Sequence, residues 1–268
     1  MANYRNFHGL AAPVFTKTLA TDQLLIYPQL EELHEELDTL VWEGGVGLLT
    51  GEMGIGKTTA LRAFLASLDR MSCEVAYAGS SRHPKGILEQ LIERLGLAPC
   101  RYRSDLLRQL STRSQRLYQE QRKKTLILVD DAHLIEDGLL EDLRLLTNFE
   151  MDAQDPLVLV LVGHPALRLR LQRPVHLALW DRLRMHYRLE GLSREETFSY
   201  IEAHLRASGA NEGLFTDSAR AALFDHSQGI PRRLNRLALA ALKKSARRKL
   251  TPIDEQLVNT VLSVLQAD

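Results

Sequence analysis

The chain has 268 residues, 34 Lys and Arg against 34 Asp and Glu, and 45% hydrophobic residues. That length and apolar content suffice for one large domain or two modest ones with a full core, and zero net charge by itself argues neither for nor against nucleic acid. No run of ~18 apolar residues is present, so no membrane partner is expected; Met1–Asn6 lacks the apolar core of a signal peptide, and Cys73 and Cys100, without CxxC spacing, fit a reduced, cytoplasmic protein.

Residues 1–30 read as an entry segment that packs on the core, with Phe7-His8-Gly9-Leu10 and Pro13-Val14-Phe15 setting aromatics beside turn residues. Tyr27-Pro28-Gln29 leads into a helix with the stripe Leu30, Leu33, Leu37, Leu40 and Val41. Glu31 to Glu43 holds six acids and no base. Val46–Thr50 is a short apolar run, as in a buried parallel strand. Next, Gly51-Glu52-Met53-Gly54-Ile55-Gly56-Lys57-Thr58-Thr59 fits the P-loop pattern, and Leu61, Phe64, Leu65 and Leu68 continue it as a helix. Strand, glycine turn and helix form the setting in which backbone N–H groups wrap an anion at a helix N-terminus. In that setting Lys57 reaches the β- and γ-phosphates and the Thr58 hydroxyl ligates Mg²⁺. ATP and Mg²⁺ are therefore the expected ligands, with Gly51 to Thr59 lining the phosphates.

Glu74–Ala78 reads as a second strand, and Gly86–Leu95 as a helix closed by Gly96. Ser104 is a candidate N-cap for a helix from Asp105 to about Arg122. Arg101 to Lys124 contains eight bases against Asp105 and Glu120. Thr125–Val129 is continuously apolar and ends at Asp130-Asp131. After a P-loop, Asp130 is expected to hold Mg²⁺ and Asp131 to orient a water on the γ-phosphate; the plain alternative for the pair is a helix N-cap. Gly138–Phe149 reads as helix, and Pro156–Gly163 as a buried strand ending at His164, between the two signature strands. Leu177–Leu189 contains Asp181-Arg182-Leu183-Arg184 and leads into Tyr187-Arg188-Leu189. After Leu192, Ser193-Arg194-Glu195-Glu196 is a capping box, and the pattern turns all-helical: Glu195–Ala207, Thr216–Asp225, Pro231–Arg248 and Pro252–Gln266. Pro231 and Pro252 each suit a first helical turn. The change from β/α alternation to helices alone sets a boundary near 191, giving an entry segment 1–30, an α/β nucleotide-binding core 31–190 and a helical lid 191–268. A third basic block, Lys243, Lys244, Arg247, Arg248 and Lys249, lies near the end. Separated acidic and basic faces permit head-to-tail stacking or a basic face laid on phosphate, and solvated helix faces are the alternative.

In this order the signatures resemble those of AAA+ ATPases, and within them the ExeA-like group. The residues that carry the resemblance are Gly51–Thr58, Asp130-Asp131-Ala132-His133, Leu161-Val162-Gly163-His164-Pro165, Arg182, Leu192–Glu196 and Gly229-Ile230-Pro231-Arg232. The entry segment and Tyr27-Pro28-Gln29 also match. The resemblance implies an αβα parallel-sheet core, a small helical lid, and a head-to-tail ring or helical filament with ATP at subunit interfaces. It implies His164 as sensor 1, Arg182 as an arginine finger acting on a neighbour's γ-phosphate, Arg232 as the lid's sensor-2 arginine, and Tyr27 among the nucleotide contacts. Two departures stand out. The family's usual Glu after the Mg²⁺ aspartate is here Asp131, one methylene shorter, so slow hydrolysis is expected; and secretion-pathway ExeA proteins continue into a membrane helix and a cell-wall-binding region, whereas this sequence stops at Asp268.

Among relatives of this size are transposition regulators of the TnsC, TniB and MuB type. That likeness implies an ATPase that assembles on duplex DNA, presents it to a transposase and leaves on hydrolysis. Arg101 and Arg103, with Arg113 as a weaker candidate, are the DNA-facing residues by analogy, in non-specific backbone contact. The alternatives are a secretion or assembly accessory ATPase that remodels protein partners without DNA, or a slow-turnover nucleotide switch.

Overall fold

The computed structural model describes residues 4–16, 25–79, 81, 84–149, 155–210 and 213–265. Part of the expected entry segment (17–24), Met1–Asn3, and Gln266 of the expected last helix lie outside these. The chain forms two compact units: Pro28–Met53 with Lys57–Leu189, and Met1–Tyr27 with Gly54–Gly56 and Glu190–Asp268.

The first unit is an α/β layer structure. In chain order it comprises α2 (Pro28–Glu43), β1 (Gly45–Gly51), α3 (Lys57–Ser67), β2 (Cys73–Ala78), α4 (Pro84–Arg94), α5 (Arg103–Gln121), β3 (Lys124–Val129), α6 (Asp137–Leu145), β4 (Leu157–Gly163), α7 (Ala166–Leu171), α8 (Leu177–Trp180) and β5 (Leu183–Leu189). The strands form one sheet in the order β2-β3-β4-β1-β5, with every pairing parallel. All seven residues of β4 are buried, as a central parallel strand covered on both faces requires. Leu88, Leu91, Leu106, Leu110, Leu140 and Leu143 join the helices to the sheet in one core.

Element boundaries moved in three informative places. The helix expected from Asp105, with Ser104 as N-cap, begins at Arg103, because the Tyr102 carbonyl accepts from the amides of Asp105 and Leu106, and no side chain caps it. The helix expected over Gly138–Phe149 ends at Leu145. The helix expected from Pro252 starts instead at Glu255, where the Asp254 carboxylate takes the Leu257 amide at 2.9 Å. Strand β5 was not resolved as a strand in the sequence: Arg184, His186 and Arg188 break its apolar run, and only Met185 and Leu189 in it are buried.

The second unit is helical: α1 (Tyr4–Phe7), α9 (Arg194–Ala207), α10 (Asp217–Ser227), α11 (Pro231–Arg248) and α12 (Glu255–Leu265). The expected capping box is present at α9, with Ser193 and Glu196 exchanging side-chain and backbone bonds. The core joins Ile201, Leu223, Leu234, Leu242 and Val258 to Leu10, Val14 and Phe15 from the chain's start. Among the described residues no helix is long and apolar enough to cross a membrane.

Candidate nucleotide site

Sheet order sets the site in the α/β unit. β4 lies between β3 and β1, with Val129 opposite Leu161 and Thr50 opposite Gly163. The residues that leave these strands, Asp130, His164 and Gly51-Glu52, therefore emerge together at the carboxyl edge of a parallel sheet, where such folds bind ligands.

Lys57 opens α3, and its ammonium donates to the carbonyls of Gly51 (2.7 Å) and Glu52 (3.1 Å). The Thr58 hydroxyl donates to Asp130 Oδ2 at 2.8 Å, and the Tyr77 hydroxyl donates to the same oxygen at 3.2 Å. Asp130 is buried, and its Oδ1 takes the Asp131 amide at 2.9 Å. Burial, then the neighbouring Asp130, pushes the Tyr77 phenol up to about 12, so it stays a donor. Thr58 and Asp130 thus present adjacent hard oxygens, a donor set that fits Mg²⁺ shared with phosphate and water. Among the described residues no group of three or more His, Cys, Asp or Glu side chains could hold a metal.

Asp131 has a left-handed backbone (φ 52°) and stands ahead of a short turn, Ala132–Leu134, without a capping bond from its side chain. The helix-cap alternative for this residue is not realised. The His164 ring takes the Ala166 amide on Nδ1 at 3.3 Å, which assigns the proton to Nε2, and that atom faces Glu52 Oε2 at 3.2 Å. His164 also donates its backbone amide to His133 Nδ1 at 3.4 Å. A Cβ at Gly163 would approach the His133 amide and Nδ1 to 3.3 Å, so glycine lets this ring sit against β4. Desolvation lowers the His133 pKa, with Asp131 opposing. Behind it Arg170 donates to the His133 carbonyl at 3.3 Å and pairs with Asp137, which also receives His176 at 2.9 Å.

Arg182 precedes β5, whose first residue pairs with Val46 at the start of β1, and it donates to Thr147 Oγ1 at 3.4 Å. The P-loop follows the other end of β1, about 20 Å away along the strands. The fold does not bring Arg182 to the chain's own phosphate loop.

Of the expected site residues, Gly54, Ile55, Gly56, Tyr27 and Arg232 belong to the helical unit. The Arg232 amide donates to the Gly54 carbonyl at 3.2 Å. Gly54 has φ +84°, and a Cβ there would lie 2.6 Å from Arg232 Cβ, so both backbone and contact require glycine. Burial, then Glu196 and Tyr200, pushes the Tyr27 phenol up to about 12.

The three arginines expected at DNA differ. Arg101 is exposed, its guanidinium 5.9 Å from the Tyr102 ring centre. Arg103 is held by Asp142 (2.5 Å) and Glu136 (2.8 Å), which spends its donor fork on the fold. Arg113 is half-buried, and its Nε is sealed from solvent without a hydrogen-bond partner. Sequence reasoning missed Tyr77, His133 and the pairing of Glu52 with His164. Of these, only Tyr77 lay outside the motifs already singled out.

Residues 42–171 match the AAA domain family. General secretion pathway protein A of Aeromonas hydrophila is 32% identical over 246 residues, covering 89% of this chain and 44% of that protein, so the chain spans less than half of this curated relative. Among solved structures, the ORC2 protein of Aeropyrum pernix in its ADPNP–ADP complexes superposes with a TM-score of 0.70 at 17% identity, over 93% of this chain and 70% of that one. The ORC1 protein of the same organism, in complex with DNA, gives 0.66 at 18%, over 91% and 67%. The structural likenesses agree with the fold. The AAA match spans the P-loop and Asp130, and the likeness to General secretion pathway protein A runs through nearly nine-tenths of the chain; residues 42–171 are thus similar to AAA domains, on a fold shared with the ORC proteins.

Proposed function

We propose that the chain binds and slowly hydrolyses ATP, and that its ATP-bound form assembles head to tail on duplex DNA to regulate transposition by presenting target DNA to a transposase. The observation that carries the nucleotide half is the Thr58–Asp130 pair beside Lys57. Thr58 and Asp130 hold Mg²⁺, which supplies charge neutralisation on the β- and γ-phosphate oxygens. Lys57 leaves the Gly51 and Glu52 carbonyls to bind the same oxygens, and Asp131 orients the attacking water. The shorter carboxylate of Asp131 sets that water back, a displacement that costs up to about 10²-fold in rate. Arg182, remote from its own P-loop, serves a neighbour's γ-phosphate, so turnover depends on assembly. His164 senses the γ-phosphate, while Tyr27 and Arg232 contact the nucleotide from the helical unit.

Support for DNA comes from the likeness to ORC1, whose solved structure is a complex with DNA, and from exposed basic surfaces. One observation favours a second reading, an accessory ATPase acting on protein partners: the relative at 32% identity is General secretion pathway protein A.

The test is ATPase rate with and without duplex DNA, alongside negative-stain imaging with ADP or a non-hydrolysable ATP analogue. The proposal expects rings or filaments on DNA with the analogue alone, and DNA-stimulated turnover. Asp130→Asn should lower turnover by about 10²-fold or more, and Asp131→Glu should raise it by about tenfold. Absence of DNA retention at low salt in either nucleotide state, with ATP still bound, would sink the DNA reading in favour of the protein-partner one.

A further inference from the structure

Helix α11 carries Arg232, Arg233, Arg236, Lys243, Lys244, Arg247 and Arg248 and not one acid. At 100° per residue, Arg233, Arg236, Lys243 and Arg247 fall within an arc of about 80°. All four are exposed, and among the described residues none of them has an ion-pair or hydrogen-bond partner. Lys244, off this row, is instead committed to packing and donates to the Thr260 carbonyl at 3.0 Å. The opposite face, with Leu234, Ala238, Ala241 and Leu242, is buried in the helical unit's core.

We propose that this face of α11 is a binding surface for the phosphate backbone of duplex DNA. The inference rests on the DNA reading above and names the surface for it. From Arg233 to Arg247 the row runs about 21 Å, roughly six base steps along one strand. Four cations on that row neutralise about four phosphates and contribute about −3.6 to the slope of log K against log salt. The row is assigned to the phosphate backbone, a contact that positions the duplex and carries no sequence information.

The charge pattern selects the occupant. A membrane-surface helix needs an apolar face to insert, and the apolar face of α11 is consumed by its own core. The chain's acidic helix α2 could face α11 of a second copy. Its six acids are spread over about 160° of arc and form no matching row. Arg103, the arginine first expected at DNA, is already held by two carboxylates, which leaves α11 as the longer unpaired cationic row.

The test uses the full chain with a non-hydrolysable ATP analogue and a random-sequence DNA duplex, read by fluorescence anisotropy over a salt series. Binding of a fluorescent ATP analogue and the melting temperature control for the fold. The expected result for Arg236→Glu/Lys243→Glu/Arg247→Glu is a loss of DNA affinity of about 10²-fold or more and a salt slope shallower by about 2.7, with nucleotide binding unchanged. Lys243→Gln/Arg247→Gln should give a proportionate loss of slope should the reversal variant fail to fold. Wild-type affinity and slope in the variants, with the wild type itself bound to DNA, would overturn the α11 assignment and leave the DNA reading standing. A wild-type chain that binds ATP but no DNA would overturn both. DNA affinity retained while self-association is lost would assign the face to a second copy and overturn the proposal.

Discussion

In the α/β unit Arg103 lies against Asp142 and Glu136, Arg144 against Glu141, and Arg170 against Asp137. On α11 of the helical unit, four cations face solvent with no ion-pair partner among the described residues. Arg103 and the C-terminal half of α11 both come from basic blocks of the sequence, and only three dimensions separate them. For Arg103 and Arg170, carboxylates more than thirty residues away come within reach, so charge is converted into architecture. On α11 the neighbouring turns offer none, so charge remains available to a partner. The cores differ as well. The α/β unit buries contiguous strands, whereas the helical unit recruits Leu10, Val14 and Phe15 from nearly two hundred residues upstream, and Phe15 stacks on the buried His204 at 5.3 Å between ring centres.

That recruited core gives the largest expected effect. Burial pushes His204 down to about 4 from the ordinary 6.5, and the Tyr200 ring also packs on it, 4.3 Å between ring centres. The unfolded chain takes up this proton first as pH falls. Stability is therefore full above about pH 6.5 and declines toward pH 4, by up to roughly 3 kcal/mol. His204→Phe keeps the stacking and should flatten the acid limb of stability measured by denaturant unfolding. An unchanged limb would show that His204 does not control the unit's acid sensitivity.

The contrast between paired and unpaired cations can be broken directly. Arg103→Ala removes two partly screened ion pairs and should cost about 1 kcal/mol, lowering Tm by about 2–4 °C. Arg236→Ala should stay within about 0.5 kcal/mol of the parent. Equal losses in thermal melts would mean that the α11 cations also hold the fold, and the contrast would fail.

The sheet was legible because its central strands are continuous apolar runs and because the P-loop and Asp130 sit at strand ends, where a parallel fold must gather them. Strand β5 escaped because an edge strand tolerates Arg184, His186 and Arg188, which erase its periodicity. Around the site, Lys57, Thr58 and Asp130 were readable from spacing alone. Tyr77 was not: a tyrosine one residue short of the end of β2 carries no motif, and only the β2–β3 pairing, which sets Tyr77 opposite Leu128, brings it to Asp130. The ion pairs of Arg103 were not readable for the same reason, since Asp142 lies 39 residues away. Charge partners formed by folding are not written in local composition.

The smallest expected effect concerns a pair inside the α/β unit that behaves more like α11 than like Arg103. Glu52 and His164 are 3.2 Å apart with side chains 52% and 41% exposed, so their contact contributes little to stability. Its consequence is electrostatic. With Nδ1 taken by the Ala166 amide, the only proton His164 offers is on Nε2, and Glu52 holds it at the mouth of the P-loop. On the proposed reading, a γ-phosphate arriving there meets the Glu52 carboxylate as a like charge and competes with it for the same proton. ADP, one phosphate shorter, meets neither obstacle. Glu52→Gln removes the repulsion while keeping the side chain's length, and should raise the preference for ATP over ADP by about three- to tenfold, the scale of one screened charge contact. Titrating both nucleotides by calorimetry reads this ratio directly. A variant that gains equally for ATP and ADP would mean that Glu52 opposes phosphate in general, and His164 would then not exchange the carboxylate for the third phosphate.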